Sequence, residues 1–173
     1  ISGGVGVQMA DASVKRDLDV MPLPDPVQKK LKEMIPYAGV NNPVDFTGQA
    51  VNDPSVMDAC VRLALDQPQF DAHIIYLAGA TGSPFLRDEV AHTFARIRAD
   101  HADSVLLMSA FGDAEVTPRY EQMGYPYFED PSLAVRALAA LTHFGTVFGQ
   151  PAQAAGAALP AGALAPPARS VSE

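Results

Sequence analysis

Two short apolar runs restrict the fold of this chain more than any other feature. Residues 72–78 read AHIIYLA and residues 104–110 read SVLLMSA, and a loop of small residues follows each run. Near-continuous apolar strands are typical of parallel sheets that helices cover on both faces. Helical patterns alternate with these runs along the chain. The sequence therefore predicts an α/β domain with a mainly parallel sheet.

Turn and capping residues divide the rest of the chain into elements. Asp-Pro pairs at 25–26, 53–54 and 130–131 each predict a helix start, because Asp caps helices and Pro fits their first turn. Gly124 directly follows a predicted helix, and glycine at that position is typical of a helix C-terminus. Predicted helices cover residues 5–16, 27–35, 54–66, 84–100, 115–123 and 131–145, and Thr117-Pro118 marks the start of the helix at 115–123. Predicted short strands cover residues 17–23 and 125–128. An irregular stretch covers residues 37–50.

The first six residues, ISGGVG, form a glycine-rich turn that opens the first predicted helix. The free N–H groups and the dipole of a helix N-terminus attract phosphate or carboxylate groups. The alternative is a tight turn that binds nothing. The match is not a dinucleotide fingerprint, because Met9 stands where a third glycine is needed, and no Gly-Lys-Ser/Thr follows as in a Walker loop.

Charge and cysteine content exclude several functions. The net charge of −8 argues against non-specific binding to nucleic acid or anionic membranes, which needs clustered Lys and Arg. No apolar span of about 18 residues is evident, so no membrane helix is predicted. The single cysteine, Cys60, excludes an internal disulfide and a CxxC metal pair. It falls on the apolar face of a predicted helix, so we expect an inert buried thiol in a reducing cytoplasm.

The loops predicted at the carboxyl edge of the sheet contain few acids or bases. These loops cover residues 2–6, 41–48, 79–83 and 110–113, and ligands of open α/β sheets bind at this edge. We expect Asp45 to bond loop amides and Asn42, like Asn41, to satisfy loop backbone or adopt a left-handed conformation. The four histidines (His73, His92, His101, His143) fall outside these loops. The residues thus predict an anion site without acid–base catalysis or metal ligands.

Three motifs together resemble one family. SGGVGVQMADA, NNPVDFTGQ and MGYPYFEDPSLAVRALAAL resemble the second flavodoxin-like domain of NDP-forming acyl-CoA synthetases. That family includes ADP-forming acetate–CoA ligases and related protein acyltransferases, and the domain is similar to the carboxy-terminal domain of the succinyl-CoA synthetase β subunit. The resemblance covers residues 1–148 and implies a flavodoxin-like three-layer sandwich, with a first strand ahead of residue 1. It implies that residues 149–173 are an Ala/Pro-rich linker toward an ATP-grasp domain, and so that the chain is a fragment.

The resemblance also implies a reaction and site residues. The family forms acyl-CoA and NDP from an acid, CoA and NTP, through a phosphohistidine that belongs to the preceding domain. It implies phosphate contacts at Ser2, Gly3, Gly4, Val5 and Gly6. Supporting roles fall to three loop residues, Asn42, Asp45 and Thr47. No catalytic residue is expected within this chain, which would be inactive alone.

The same resemblance implies the partners. ATP or ADP, Mg and CoA are expected on other domains of a cytoplasmic enzyme, and none of them on this domain alone. The expected partners are CoA-binding, phosphohistidine and ATP-grasp domains, without nucleic acid or membrane, and a homo-oligomer is compatible with them. Three alternatives stay open: part of a protein lysine acyltransferase with a degenerate synthetase region, a non-catalytic module that senses nucleotide or CoA, and a purely structural docking domain.

Overall fold

A computed structural model describes residues 3–149, except for the side chain of Val51. Residues 1–2, with the predicted contact Ser2, and residues 150–173 lie outside the described part, so the predicted linker is not tested. Ten elements follow one another within residues 3–149: α1 (Gly3–Val14), α2 (Asp25–Met34), α3 (Thr47–Asn52), α4 (Pro54–Leu65), β1 (Ala72–Ala78), α5 (Arg87–Asp100), β2 (Val105–Ala110), α6 (Val116–Gln122), β3 (Tyr127–Phe128) and α7 (Pro131–Gly149).

The three strands form a parallel sheet in the order β1-β2-β3. Ala72 lies opposite Val105, and Met108 lies opposite Tyr127. Helix α7 packs on all three strands and against α1, while α4 packs against α2, α3 and α5. The predicted α/β class, with helices flanking a parallel sheet, is confirmed.

The core lies where α4 and α5 meet the sheet. Phe94 and Ile97 of α5 are completely buried, as are Met108 of β2 and Tyr125. Ring contacts join Phe94 to Tyr125 and Tyr125 to Tyr120, with centroids 6.1 and 6.4 Å apart. Aromatic residues bury large areas and prefer such edge-on contacts, so this cluster fixes α5 and α6 against the sheet edge.

The predicted strand over residues 17–23 is wrong. This segment leaves α1 at Asp17, whose φ is +58°, and then pairs with no strand among the described residues. The Leu18 N–H donates back to the Ser13 carbonyl oxygen at 3.1 Å, and the Leu23 N–H donates to the Asn41 carbonyl oxygen at 2.8 Å. A strand needs a hydrogen-bonded neighbour as well as apolar alternation, and the described sheet contains only β1, β2 and β3.

Of the three predicted helix caps, two are confirmed. Asp53 Oδ1 accepts from the N–H groups of Ser55 and Val56, and Asp130 Oδ1 accepts from the N–H of Ser132. Asp25 is not a cap: it is the first residue of α2, Pro24 precedes it, and no side-chain cap bond forms. Gly124, with φ +90°, ends α6 as predicted.

Several element boundaries also differ from the prediction. Helix α1 begins at Gly3, two residues before the predicted start, so the glycines form its first turn instead of a loop. It ends at Val14, two residues before the predicted end. Helix α5 starts at Arg87 after a turn over 83–86, and α6 starts at Val116, one residue ahead of Thr117. The stretch 37–50 contains the start of α3 and one antiparallel bridge, and the strand predicted at 125–128 shortens to β3.

Helix α7 is longer and more apolar than predicted. Its 19 residues have a mean hydropathy of 1.2 over their best 18-residue window, so by length and composition alone it is one candidate membrane span. The expectation that no such span exists is therefore wrong. Ala134 and Val135 are buried against the sheet, whereas Leu141, Phe144 and Phe148 are at least half exposed. The first half of α7 thus covers the sheet, and its second half extends beyond it.

Candidate functional site

The first turn of α1 provides the donors of the predicted anion site. The first four N–H groups of an α-helix have no acceptor within the helix, and the helix dipole places partial positive charge there. Among the described residues of α1, these groups belong to Gly3, Gly4 and Val5, whereas Gly6 is the fourth residue of the helix, where the N–H takes part in the helical hydrogen bonds. The fifth predicted contact, Ser2, lies outside the described residues. The described part of the turn can therefore donate to an anion through the backbone alone.

The loop after α2 packs directly on this turn. A Cβ atom on Gly3 would lie 2.9 Å from Asp45 Oδ2, and one on Gly6 would lie 3.1 Å from the Pro43 Cβ. Side chains at positions 3 and 6 would therefore push the loop away. The structure brings the predicted loops 2–6 and 41–48 together, and it places a carboxylate against the helix N-terminus, where the dipole favours negative charge.

Gly4 has open space around it. It is exposed, and a Cβ atom there would meet no atom within 4 Å. The glycines at positions 3 and 6 are explained by the close loop, but no described packing explains the one at position 4. This flank of the turn is therefore accessible to a group that arrives from outside the domain.

The three predicted supporting residues hold the loop. Gly39 and Asp45 exchange two backbone hydrogen bonds of 3.0 and 2.7 Å, and Asp45 Oδ1 accepts from the Thr47 N–H at 3.0 Å. Asn42 Nδ2 donates to the Met21 carbonyl oxygen at 2.8 Å. These contacts confirm that Asp45 bonds a loop amide and that Asn42 satisfies loop backbone.

Unusual backbone conformations occur in the same loop. Asn42 has φ +103° and Thr47 has φ +59°, and Ala78, at the end of β1, has φ +50°. Non-glycine residues at positive φ are strained, most of all a β-branched one such as Thr47, and such residues occur often at binding sites. The Asn42–Pro43 peptide bond is cis. Sequence reasoning predicted the left-handed Asn42 but missed Thr47.

The loops after β1 and β2 pack on each other through glycines. A Cβ atom on Gly82 would lie 2.8 Å from the Gly112 Cα, and one on Gly112 would lie 2.6 Å from Val116 Cγ2. Between them, the buried Thr81 hydroxyl lies 3.4 Å from the Tyr127 hydroxyl. These loops meet as predicted, but their small residues serve close packing.

Two titratable groups within residues 3–149 are buried in the domain. Cys60 is completely buried, and burial raises the pKa of its thiol to about 11. His73 lies in β1, and burial lowers the pKa of its imidazole, while the nearby backbone of Ala64 acts in the opposite direction. Among residues 3–149, no group of three or more His, Cys, Asp or Glu side chains could hold a metal ion. The expectation of a buried thiol is confirmed. His73 lies in a strand as predicted, but it lines the same cleft as Gly3, Gly6 and Asp45.

Comparison with known proteins identifies the family. The model of the Ligase-CoA domain family matches residues 1–141. The chain belongs to the Ligase-CoA domain family. This agrees with the resemblance carried by the three sequence motifs, and it makes the chain a domain of the CoA ligase type. No curated protein matches this Ligase-CoA domain.

A solved structure has the same fold as this Ligase-CoA domain. It is the crystal structure of PH0766 from Pyrococcus horikoshii OT3, with a TM-score of 0.75 and 25% sequence identity. The match covers 86% of this chain and 35% of that one, so the domain spans about a third of the length of PH0766. The flavodoxin-like architecture is thereby confirmed.

Proposed function

We propose that this Ligase-CoA domain is part of an NDP-forming acyl-CoA synthetase, which catalyses acid + CoA + ATP ⇌ acyl-CoA + ADP + phosphate. In this proposal, the first turn of α1 receives a phosphorylated histidine from another domain of the same enzyme. The family assignment supports the ligase class. The observation that carries the assigned role is the exposed Gly4 flank of an N-terminal turn whose other flank is covered by the loop over residues 39–47.

The turn would act by fixed backbone dipoles. The N–H groups of Gly3, Gly4 and Val5 would donate to phosphoryl oxygens without any rearrangement of the helix. Donors already oriented toward a charged group stabilise it more than donors that must turn first. Catalysis of phosphoryl transfer is largely positioning and charge stabilisation, so a turn that offers only backbone donors suits this role.

Asp45 would limit how tightly the phosphoryl group binds. Its carboxylate already lies against Gly3, so a second anion at the turn meets a negative charge as well as the helix dipole. Like charges at short distance repel more strongly in a partly buried site than in water. Weak retention is what a transferred group requires. Asn42 and Thr47 would keep the loop, and with it Asp45, in place, while ATP or ADP, Mg and CoA bind to other domains.

The proposed function is tested on the full-length protein. With a panel of short-chain acyl-CoA thioesters, ADP and phosphate, it should form ATP, and its histidine should become labelled from [γ-³²P]ATP. Gly4→Leu should lower the amount of labelled protein by about tenfold or more, because the side chain fills the approach and the loss of a charge-assisted hydrogen bond costs more than 1 kcal/mol.

The matched control is Gly145→Leu. Gly145 is also an exposed helical glycine with open space around it, but it lies in the far half of α7. Leucine stabilises a helix relative to glycine at both positions, so neither variant should unfold. Equal labelling of the two variants would reject the role of the turn, and no ATP formation from any thioester of the panel would reject the synthetase.

A further inference from the structure

The second half of α7 has an apolar surface that no other described element covers. Residues 141–149 are all exposed, and four large apolar side chains among them have exposed fractions between 49% and 80%: Leu141, Phe144, Val147 and Phe148. Helical spacing places Leu141, Phe144 and Phe148 on one side of α7. The rings of Phe144 and Phe148 are stacked, with centroids 6.0 Å apart. We call these four side chains the α7 patch.

The helix around the α7 patch is weak by itself. Gly145 and the β-branched residues Thr142, Thr146 and Val147 are poor helix formers. Most of the stability of a protein helix comes from packing one of its faces, and residues 141–149 pack little against the described domain. A segment that covered the α7 patch would supply this packing.

The α7 patch continues into a hollow beside the sheet. The hollow has a volume of about 300 Å³, and Leu141 lines it together with Ala137, Pro126 and Phe128. The cationic residue of its described lining, Arg98, directs its guanidinium to backbone carbonyl oxygens. The hollow therefore offers space for an apolar side chain such as that of leucine.

Charge and composition indicate which segment suits this surface. The chain has a net charge of −8, but residues 137–168 contain no Asp, Glu, Lys or Arg, so the α7 patch and the polypeptide that follows it are both uncharged. Residues 159–167 read LPAGALAPP, with two leucines and three prolines. Extended proline-rich segments bind to grooves lined by aromatic side chains, because they lose little conformational entropy on binding.

The connection is long enough for residues 159–167 to return to α7. From Leu141 to Phe148 the helix rises by about 10 Å, at 1.5 Å per residue. Residues 150–158 can span up to about 30 Å, so the following residues can turn back along α7. Because both partners belong to one chain, the effective concentration of the segment at the patch is about millimolar. Even a weak contact would therefore be populated.

We propose that residues 159–167 fold back in an extended conformation and bind the α7 patch, with a leucine of this segment in the hollow. The predicted linker after α7 is then anchored to the domain instead of free along its whole length. This proposal does not depend on the proposed reaction, and its failure would leave the role of the α1 turn untouched.

Photo-crosslinking of the full-length protein tests the contact. Phe144 is replaced by p-benzoyl-phenylalanine in one protein, and Phe85, which is 92% exposed in the loop after β1, is replaced in the control. Irradiation should join position 144 to residues 159–167 of the same chain, as mass spectrometry of the peptides would show, whereas position 85 should not react with this segment. Products that join position 144 only to another domain or to a second chain, or no product with residues 159–167, would overturn the proposal.

A pair of variants tests whether the leucines and prolines of the segment make the contact. In the full-length protein, the first variant combines five substitutions: Leu159→Ser, Pro160→Ser, Leu164→Ser, Pro166→Ser and Pro167→Ser. It should lower the crosslinking yield at position 144 by about fivefold or more and speed amide exchange of residues 142–148 by about tenfold, because the patch loses its cover.

The matched control places five serines in the connection: Pro151→Ser, Ala152→Ser, Ala154→Ser, Ala155→Ser and Ala157→Ser. It should leave the crosslinking yield and the amide exchange unchanged. All ten substitutions lie outside residues 3–149, and slow exchange of β2 reports that the domain stays folded in both variants. Equal exchange of residues 142–148 in the two variants would overturn the proposal, as would protection of these amides that depends on protein concentration.

Discussion

Tyr120 and Tyr125 are neighbours in the core and differ in the environment of their hydroxyl groups. Both side chains are essentially completely buried. The Tyr125 hydroxyl donates to the Phe94 carbonyl oxygen at 2.8 Å, whereas the Tyr120 hydroxyl has no hydrogen-bond partner among the described residues. A buried polar group without a partner has lost its hydration and gained nothing in return. The two hydroxyl groups should therefore contribute differently to stability.

We expect the Tyr125→Phe and Tyr120→Phe variants to differ in their free energy of unfolding, measured in urea at pH 7. Tyr125→Phe should lower the free energy of unfolding by about 1 kcal/mol, because it removes a satisfied buried hydrogen bond. Tyr120→Phe should be neutral or stabilise the protein by up to about 1 kcal/mol, because it removes an unsatisfied group. Each variant is the size-matched control of the other. A larger loss for Tyr120→Phe would contradict the assigned environments.

At this scale, the sequence predicts contacts between residues close in the chain and misses distant ones. The bond from the Thr47 N–H to Asp45 spans two residues, and Asx turns of this kind follow from residue type. The contact of Asp45 with Gly3 spans 42 positions and depends on where α2 places the loop. Glycine at position 3 indicated conformational freedom, but the structure shows that its use is to admit the carboxylate.

Helix starts illustrate the same limit at the scale of elements. Asp25-Pro26 and Asp53-Pro54 are identical pairs in the sequence, yet only Asp53 accepts hydrogen bonds from its helix. Hydrogen bonds from Ser55 and Val56 hold the pKa of Asp53 below its usual value. Pro24 takes the capping position ahead of the first pair. Helix α2 therefore begins one residue earlier in the chain than a cap at Asp25 would give, and Asp25 lies within the helix.

The two aspartates give a direct comparison of cap strength. Asp53→Ala should lower the free energy of unfolding by about 1 kcal/mol at pH 7, since an N-cap acceptor is lost. Asp25→Ala should cost less than about 0.5 kcal/mol, because only a favourable charge near the helix dipole disappears. Thermal or urea unfolding of both variants measures the difference. Similar losses in the two would mean that Asp25 also caps its helix.

The strand prediction for residues 72–78 is confirmed and the one for residues 17–23 is wrong, and the difference has a physical reason. The bounds of β1 agree with the predicted run 72–78, because an apolar run between loops leaves few alternatives. Residues 17–23 have the alternation of a strand but no paired neighbour among the described residues. Alternation records which face of a segment is buried, while pairing depends on another segment far away in the chain. The sequence therefore predicts a strand's position better than its pairing.

For the whole molecule, buried groups that stay protonated in the folded state determine how the free energy of unfolding changes at alkaline pH. Burial raises the pKa of the Cys60 thiol from 9.0 to about 11. It likewise raises the pKa values of Tyr120 and Tyr125 above their usual 10.0. The unfolded chain loses these protons at lower pH than the folded protein does. The stabilisation is thus complete below about pH 9 and is lost progressively as the pH rises through the folded pKa values.

The free energy of unfolding should therefore fall between pH 8.5 and about pH 10.5, as measured by urea titration at several pH values. Tyr120→Phe should make this decline shallower, because one of the buried ionisable groups is gone. Tyr37→Phe is the control, since Tyr37 is 82% exposed and its hydroxyl is in solvent in both states. A decline that Tyr120→Phe leaves unchanged would show that its hydroxyl ionises without unfolding.

The family and the architecture were within reach of the sequence because they depend on several motifs and on the order of elements. The family-model match over residues 1–141 and the structural match to PH0766 confirm both. The extent of α7 was not predicted. Its second half contacts little of the domain, so neither burial nor a cap marks where it should end.

The contact between the loops after β1 and β2 also bears on how this domain can vary among relatives. Gly82, Gly112 and Val116 share one small volume, in which a single added methyl group has no space. A larger residue at position 112 becomes acceptable only when position 116 loses a methyl group. Substitutions at positions 112 and 116 should therefore occur in compensating pairs, so an alignment of relatives should show these two positions to be statistically coupled.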